Sequence, residues 1–519
     1  EPWLARRLKA IYAPVLKVSL RVPALILVLA LVLVVVAGFQ LSTAGRAFLP
    51  DFNEGSLTIN AVTIPGTSLA QSDVLGSALE RILLSVPEVV STARRTGRSE
   101  LDEHVQGVES AEMDVRLQMK NRPKDEVLAE IRDKASLMPG MNVTIGQPIS
   151  HRIDHMLSGV RANVAVKVFG EDLVMLRALG KQVQATMEGI PGVVDLSTEQ
   201  QQDIPTLQVK VNAANAARFG LQTGEAAEAI QTAYVGKEVS RILEGQVSVP
   251  LVVRYGLEEN RSVQSIRDTL IDTPSGARAP LSALADIRED RGPNFIMREF
   301  VQRRIVVQCN VAGRDLVGTV KDIQARVASQ VKLPQGYHVE YGGQFEAESQ
   351  ATRLLMILGG LALVAMVFLL ATVFRSLTDA GIILLNLPLA LVGGVAGVFA
   401  GGGVLSVASI IGFITLFGIA TRNGIMLISH IHHLLEVEGV TNIHEAVIRG
   451  AQERLVPILM TALAAGLALI PIALGKGQPG SEIQAPMAFV ILFGLLSSTF
   501  LNMFVVPAAW LIAHKNRFQ

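Results

Sequence analysis

A chain of 519 residues, half of them hydrophobic, with 46 Lys and Arg set against 46 Asp and Glu, is too long for one small domain and fits a membrane protein with a large polar portion. The balanced charge gives no sign of a nucleic-acid surface, and the only cysteine, Cys309, excludes an internal disulfide and a thiolate metal cluster. Soft-metal chemistry would have to use Met or His.

Residue 1 is Glu, with no signal peptide or initiator methionine ahead of the first apolar run, so the chain reads as a piece of a longer polypeptide. Segment 1–23 carries Arg6, Arg7, Lys9, Lys17 and Arg21 on an amphipathic pattern, either a helix on the cytoplasmic face or a solvated linker. Residues 24–41 are uncharged and apolar, a first membrane helix.

From 42 to 350 no run is long enough to span. Strand and helix patterns alternate instead: a strand at Leu57–Thr63, a helix at Ser68–Ser85 and a strand at Val89–Arg95, then the same order at Glu109–Leu117, Lys124–Leu137 and Asn142–Ile145. A second set, Val164–Phe169, Asp172–Glu188 and Val193–Ser197, is completed by Arg304–Val311, Asp315–Val331 and His338–Tyr341. The repeated unit predicts ferredoxin-like, split βαβ subdomains over 42–205 and 288–350, with an α+β module inserted at 206–287.

Segment 351–519 holds five further apolar runs, Arg353–Phe374, Ala380–Gly401, Val407–Ser429, Leu455–Leu474 and Ala485–Ala513, for six spans in all, none containing a carboxylate. Arg375, Arg449, Arg454, Lys515 and Arg517 fall on the side of the N-terminal arginines, which places both ends in the cytoplasm and the large loop outside it. Gly359, Gly360, Gly393, Gly394, Gly397, Gly412, Gly418 and Gly424 predict close helix contacts. Arg422 and Asn423 interrupt the Val407–Ser429 run. A guanidinium at that depth costs about 2.5–3.5 kcal/mol, so Arg422 must face water or a bundle interior and find an anion; with no carboxylate in the spans, that anion comes from elsewhere. Arginine keeps its proton, which suits it to tuning a neighbouring acid, and Asn423 and Thr461 can add neutral hydrogen bonds. Thr461 can equally bond back to its own helix.

Six spans with one large loop after the first make half of the plan of the resistance-nodulation-cell division (RND) exporters. Phe48-Leu49-Pro50-Asp51-Phe52-Asn53-Glu54-Gly55 followed by Pro65-Gly66-Thr67 resembles the signature after the first span of that plan's C-terminal half. Gly418 to Leu427 resembles its fourth span, with Arg422 where drug exporters carry lysine, and Arg454 to Thr461 resembles the start of its fifth. Ser150 to Arg161 and Val164 to Gly170 are similar to the heavy-metal efflux branch. The resemblance implies a secondary active transporter rather than an enzyme: a proton-driven cation antiporter, trimeric, in the inner membrane of a Gram-negative bacterium. Its implied partners are a periplasmic adaptor (membrane fusion protein), an outer-membrane channel and the N-terminal half that carries the proton-accepting aspartate. It also implies that 206–287 is a docking insertion, in which Ser240–Glu244 and Val247–Tyr255 form a hairpin reaching into a neighbouring protomer.

No cofactor is expected; the metal is cargo. Copper and silver members of the branch pass a soft ion along three methionines, and the corresponding positions here are His155, Glu238 and Phe295, with Met156 and Met297 out of register. Imidazole and carboxylate favour divalent ions such as zinc, cobalt, cadmium or nickel. His151 shares a face with His155 only if that segment is helical, which Pro148 and the strand that follows leave open. Glu100, Asp102, Glu103 and His104, with Glu109 and Glu112 downstream, are either a cation-attracting cluster or a solvated acidic turn. His430, His432 and His433 resemble a metal-binding tract, or serve the polar side of an interfacial helix. The Gly475 to Glu482 loop reads as a turn without chemistry. Two other functions compete: export of organic amphiphiles, which predicts a phenylalanine-lined cleft, and an auxiliary role in protein translocation, which predicts a shorter loop.

Overall fold

The computed structural model describes residues 3–50, 52–97, 107–120, 122–160, 162–256 and 262–514. It forms two compact units, one of Glu1–Glu199 with Met297–Gln519 and one of Gln200–Ile296.

The first unit opens with α1 (Trp3–Ser19) and α2 (Pro23–Thr43). Arg6, Arg7 and Lys17 of α1 are exposed while Tyr12 and Leu16 are buried, and Tyr12 donates its hydroxyl to the Met503 carbonyl at 2.7 Å. This segment is therefore a docked helix rather than a solvated linker. The short β1 (Gly45–Ala47) then pairs in parallel with a strand far along the chain.

Next come β2 (Ser56–Thr63), α3 (Leu69–Leu83), β3 (Val89–Thr96), β4 (Ser110–Leu117), α4 (Lys124–Ser136) and β5 (Met141–Gly146), an antiparallel sheet in the order β3-β4-β2-β5. Leu57 and Ile59 of β2 and Met113 and Val115 of β4 turn one face onto Leu79, Leu83, Val127 and Ile131 of the two helices. Strand alternation sends Thr58, Glu112 and Asp114 to the other face. That face meets α5 (Pro148–Ser158). The second sheet begins with β6 (Val164–Phe169), α6 (Leu173–Met187) and β7 (Val193–Thr198).

The second unit pairs β8 (Asp203–Val211) antiparallel with β13 (Ala285–Pro293). Between them lie α7 (Ala213–Arg218), α8 (Thr223–Tyr234), the hairpin β9 (Lys237–Glu244) and β10 (Val247–Val253), α9 (Val263–Arg267), β11 (Leu270–Asp272), β12 (Arg278–Pro280) and α10 (Leu281–Leu284). Its core gathers Ala216, Ile271, Leu281, Leu284 and Ile287. Both faces of the hairpin are exposed along its whole length, Leu243 and Val247 included.

Back in the first unit, β14 (Arg298–Glu299), β15 (Gln302–Val311), α11 (Leu316–Gln330) and β16 (His338–Gly343) complete the second sheet in the order β14-β15-β6-β16, with β7 also on β15. The chain then enters α12 (Gln344–Phe374), α13 (Leu377–Leu384), α14 (Asn386–Ala400), β17 (Val404–Ser406, the partner of β1), α15 (Val407–Glu436), α16 (Ile443–Leu474) and α17 (Gln484–His514). Pro388 cannot donate to the turn before it, and the α13–α14 break falls there. Counting Leu377–Ala400 as one, 6 helices among the described residues are long and apolar enough to cross a membrane.

Packing corrects two expectations. Gly393, Gly397 and Gly412 bring α14 and α15 against the backbone of α17, and Gly424 meets Asn386, yet Gly359, Gly360 and Gly418 face open space. A carboxylate does lie in a span: α13 begins three residues before the apolar run, and Asp379 in its first turn is fully buried.

Candidate functional site

The helix that the sequence left open forms because its N-terminus is capped from a distance. Pro148 stands in the first turn, where its missing N–H costs nothing, and both carboxylate oxygens of Glu54 accept from the Ile149 N–H at 2.9 and 3.0 Å. At the other end the Gly159 N–H bonds back to the His155 carbonyl at 2.8 Å, in the left-handed conformation that glycine adopts readily. One turn apart, His151 and His155 consequently share a face of α5.

That face borders a cavity of about 220 Å³ whose lining includes His151, His155, Glu112, Asp114 and Thr58. Glu112 is held by Arg95 across the sheet. Two imidazoles, two carboxylates and the side chains of Arg95 and Arg152 thus line one space, although no group of three or more His, Cys, Asp or Glu side chains is drawn together as a ready metal cage among the described residues. Such an arrangement can take up a hydrated divalent cation and exchange its waters for nitrogen and oxygen ligands. Met156 is 79% exposed, and Met297 is exposed as well. Glu238 and Phe295 belong to the second unit, where Glu238 is paired with Arg241 at 2.7 Å. His104 and the acidic residues beside it lie outside the described residues.

Sequence reasoning missed what holds α5. Asp154, buried between the two histidines, accepts from Gln344 Nε2 at 2.7 Å and from Asn163 Nδ2 at 3.3 Å. Burial pushes its carboxyl up to about 6. The Gly475 to Glu482 turn is likewise tied down by distant residues, since the Gly477 carbonyl accepts from Asn53 Nδ2 at 2.8 Å and the Glu482 carboxylate accepts from the Asn53 N–H at 3.1 Å. A second cavity of about 620 Å³ lies between this turn, Glu54 and Pro148. An acid just ahead of Gly55 was the only local hint of the cap.

In the bundle, Arg422 is exposed on α15, in a stripe with Ile411, Thr415 and Gly418 spaced three to four residues apart and with Ser429 two turns on. Asn423 is buried with no hydrogen-bond partner for its Oδ1, and Thr461 donates to the Ile458 carbonyl of its own helix at 2.9 Å. The three are thus not joined by hydrogen bonds. The histidine tract is taken up by contacts with carboxylates: His430 with Glu453 at 2.6 Å, His432 with Asp379 at 3.3 Å and His433 with Glu438 at 3.8 Å. These histidines diverge towards separate carboxylates rather than converging on one point.

A family model described as the AcrB/AcrD/AcrF family matches residues 3–514. The chain belongs to this family. It is 36% identical over 525 residues to the cobalt-zinc-cadmium resistance protein CzcA of Cupriavidus metallidurans, covering 99% of this chain and 49% of that one. The nickel and cobalt resistance protein CnrA of the same organism is 36% identical, with 93% of this chain and 46% of that one covered. The cation efflux system protein CusA of Escherichia coli K12 is 30% identical, with coverages of 99% and 51%. A crystal structure of a heavy metal efflux pump superposes with a TM-score of 0.81 at 30% identity, covering 99% of this chain and 52% of that one. The chain spans about half the length of the curated relatives it matches.

Proposed function

We propose that the chain is the C-terminal half of a proton-driven exporter of divalent heavy-metal cations, the inner-membrane subunit of a tripartite system. The observation that carries this reading is the cavity where His151 and His155 of α5 face Glu112 and Asp114 of β4. Nitrogen and oxygen donors suit zinc, cobalt, nickel or cadmium better than Cu(I), which thioethers select. The relatives named for cobalt, zinc, cadmium and nickel resistance support the same substrate class.

The exposed stripe around Arg422, together with a long α12 on which only Glu348 and Leu370 are buried, fits a face that receives the helices of an N-terminal half. That half would bring the proton-carrying carboxylate to the guanidinium, with Asn423 and Thr461 beside it. The exposed apolar hairpin of the second unit fits a contact between protomers of a trimer, and the rest of that unit a docking surface for adaptor and channel.

The test is zinc flux into proteoliposomes under an imposed pH gradient. Gradient-stimulated flux that Arg422→Ala abolishes is expected; flux indifferent to the gradient or to that substitution removes the antiport mechanism.

A further inference from the structure

We propose that Glu54 and Asp154 are positioning residues that fasten the histidine helix α5 to two separate parts of the helical bundle, so that a movement of α5 on metal binding is passed to α12 and to the α16–α17 turn. This rests on the metal-export reading above and adds to it the parts that move.

The first anchor is at the helix N-terminus. Glu54 takes the Ile149 N–H with both oxygens, and its own N–H donates to Oε1 of Gln147, the residue preceding α5, at 3.3 Å. The adjacent Asn53 is bonded through its backbone to Glu482 and through its side chain to Gly477, both in the turn between α16 and α17. Two consecutive residues thus link the start of α5 to that turn with no intervening flexible side chain on α5, because the bond is made to its backbone.

The second anchor lies about 7.5 Å further along the helix, five residues at the helical rise. Asp154 takes the side-chain N–H of Gln344, the first residue of α12, while the Gln344 backbone N–H donates to the Asn163 carbonyl at 3.0 Å. Just before it, Gly343 has φ of +95°, and a Cβ there would stand 2.4 Å from the Asn163 carbonyl oxygen. The entry into α12 is therefore seated against the segment after α5 so closely that only glycine fits. From Asn163 the bonding runs on to Asn310, which donates to the Ile145 carbonyl of the first sheet at 2.9 Å and to Asp195 at 2.8 Å. Asp195 in turn holds Arg132 of α4 at 3.1 Å. One hydrogen-bonded path therefore joins both sheets, α5 and α12.

His151 lies between the two anchors and His155 directly after the second. A short helix held at its first turn and again at Asp154 moves as a body, so ligation that tilts the histidines towards Glu112 and Asp114 pulls on both attachments.

The test uses the protein as the cell makes it, in proteoliposomes with zinc as the probe. Asp154→Ala and Gln344→Ala are each expected to keep zinc affinity while losing about tenfold to a hundredfold of maximal flux, the range found when supporting residues are removed. The double variant should be no slower than either single. A purely structural role would lower affinity, folded yield and flux together. Full flux in Asp154→Ala, or losses that multiply in the double variant, overturns the proposal. Should the wild type move no zinc, the export reading fails, and hydrogen exchange decides the anchors alone. Asp154→Ala should then raise exchange at 344–350, and Glu54→Ala at 475–482; unchanged protection at both refutes them.

Discussion

Trp510 donates its indole N–H to Asp379 Oδ1 at 3.1 Å, with both side chains buried inside the helical bundle. His514 stacks on the indole at 4.3 Å, and His432 Nε2 stands 3.3 Å from the other carboxylate oxygen. The cluster ties α13 to α15 and α17.

Trp510→Phe removes the donor but keeps most of the ring, and is expected to lower stability by about 1–3 kcal/mol, the cost of a buried acceptor left short of a partner. Asp379→Ala strips two imidazoles of their carboxylate and should cost about 3–5 kcal/mol. Thermal melting of the purified protein reads both; an unchanged Tm in Asp379→Ala contradicts the account.

Stability should also depend on pH through Asp154. Its native carboxyl holds a proton up to about 6, whereas an unfolded aspartate releases it near 4. Between those values the native state binds more protons, so this group's contribution falls as pH rises through the window and is a cost at neutral pH. Asp154→Asn removes the ionisation. The difference in unfolding free energy between wild type and variant should shift in favour of the variant from pH 4 to pH 7, and parallel curves would refute the assignment.

The exposed hairpin gives a third expectation. Leu243 is 75% exposed in the chain alone, so Leu243→Asp should leave folding within about 0.5 kcal/mol of wild type. The same change should break a subunit contact that buries this side chain. Mass photometry that shows unaltered assembly removes the hairpin from the interface.

The elements of both sheets were legible in the sequence because strand alternation and helix caps are local: Ser68, Asp172 and Asp315 each accept a backbone N–H three residues on. Arg422 stands out in the sequence as a charge in an apolar run, but its exposure on α15 shows only once the helices are packed. What escaped depends on residues distant in sequence. The cap on α5 comes from Glu54, 95 residues before Ile149, so no local window could decide between helix and loop there. Likewise the helical glycines look alike in sequence, and only packing shows that Gly397 meets the α17 backbone while Gly418 meets nothing. Asp379 was overlooked because it sits one residue outside the apolar run, although the helix had already begun.

On the proposed function, α5 presents His151 and His155 to a divalent cation. Native mass spectrometry of the whole protein, with and without zinc, compares wild type with the His151→Ala, His155→Ala double variant. Zinc is expected to be retained by the wild type and lost by the double variant, with the fold unchanged in both. Equal zinc content in the two proteins would contradict it.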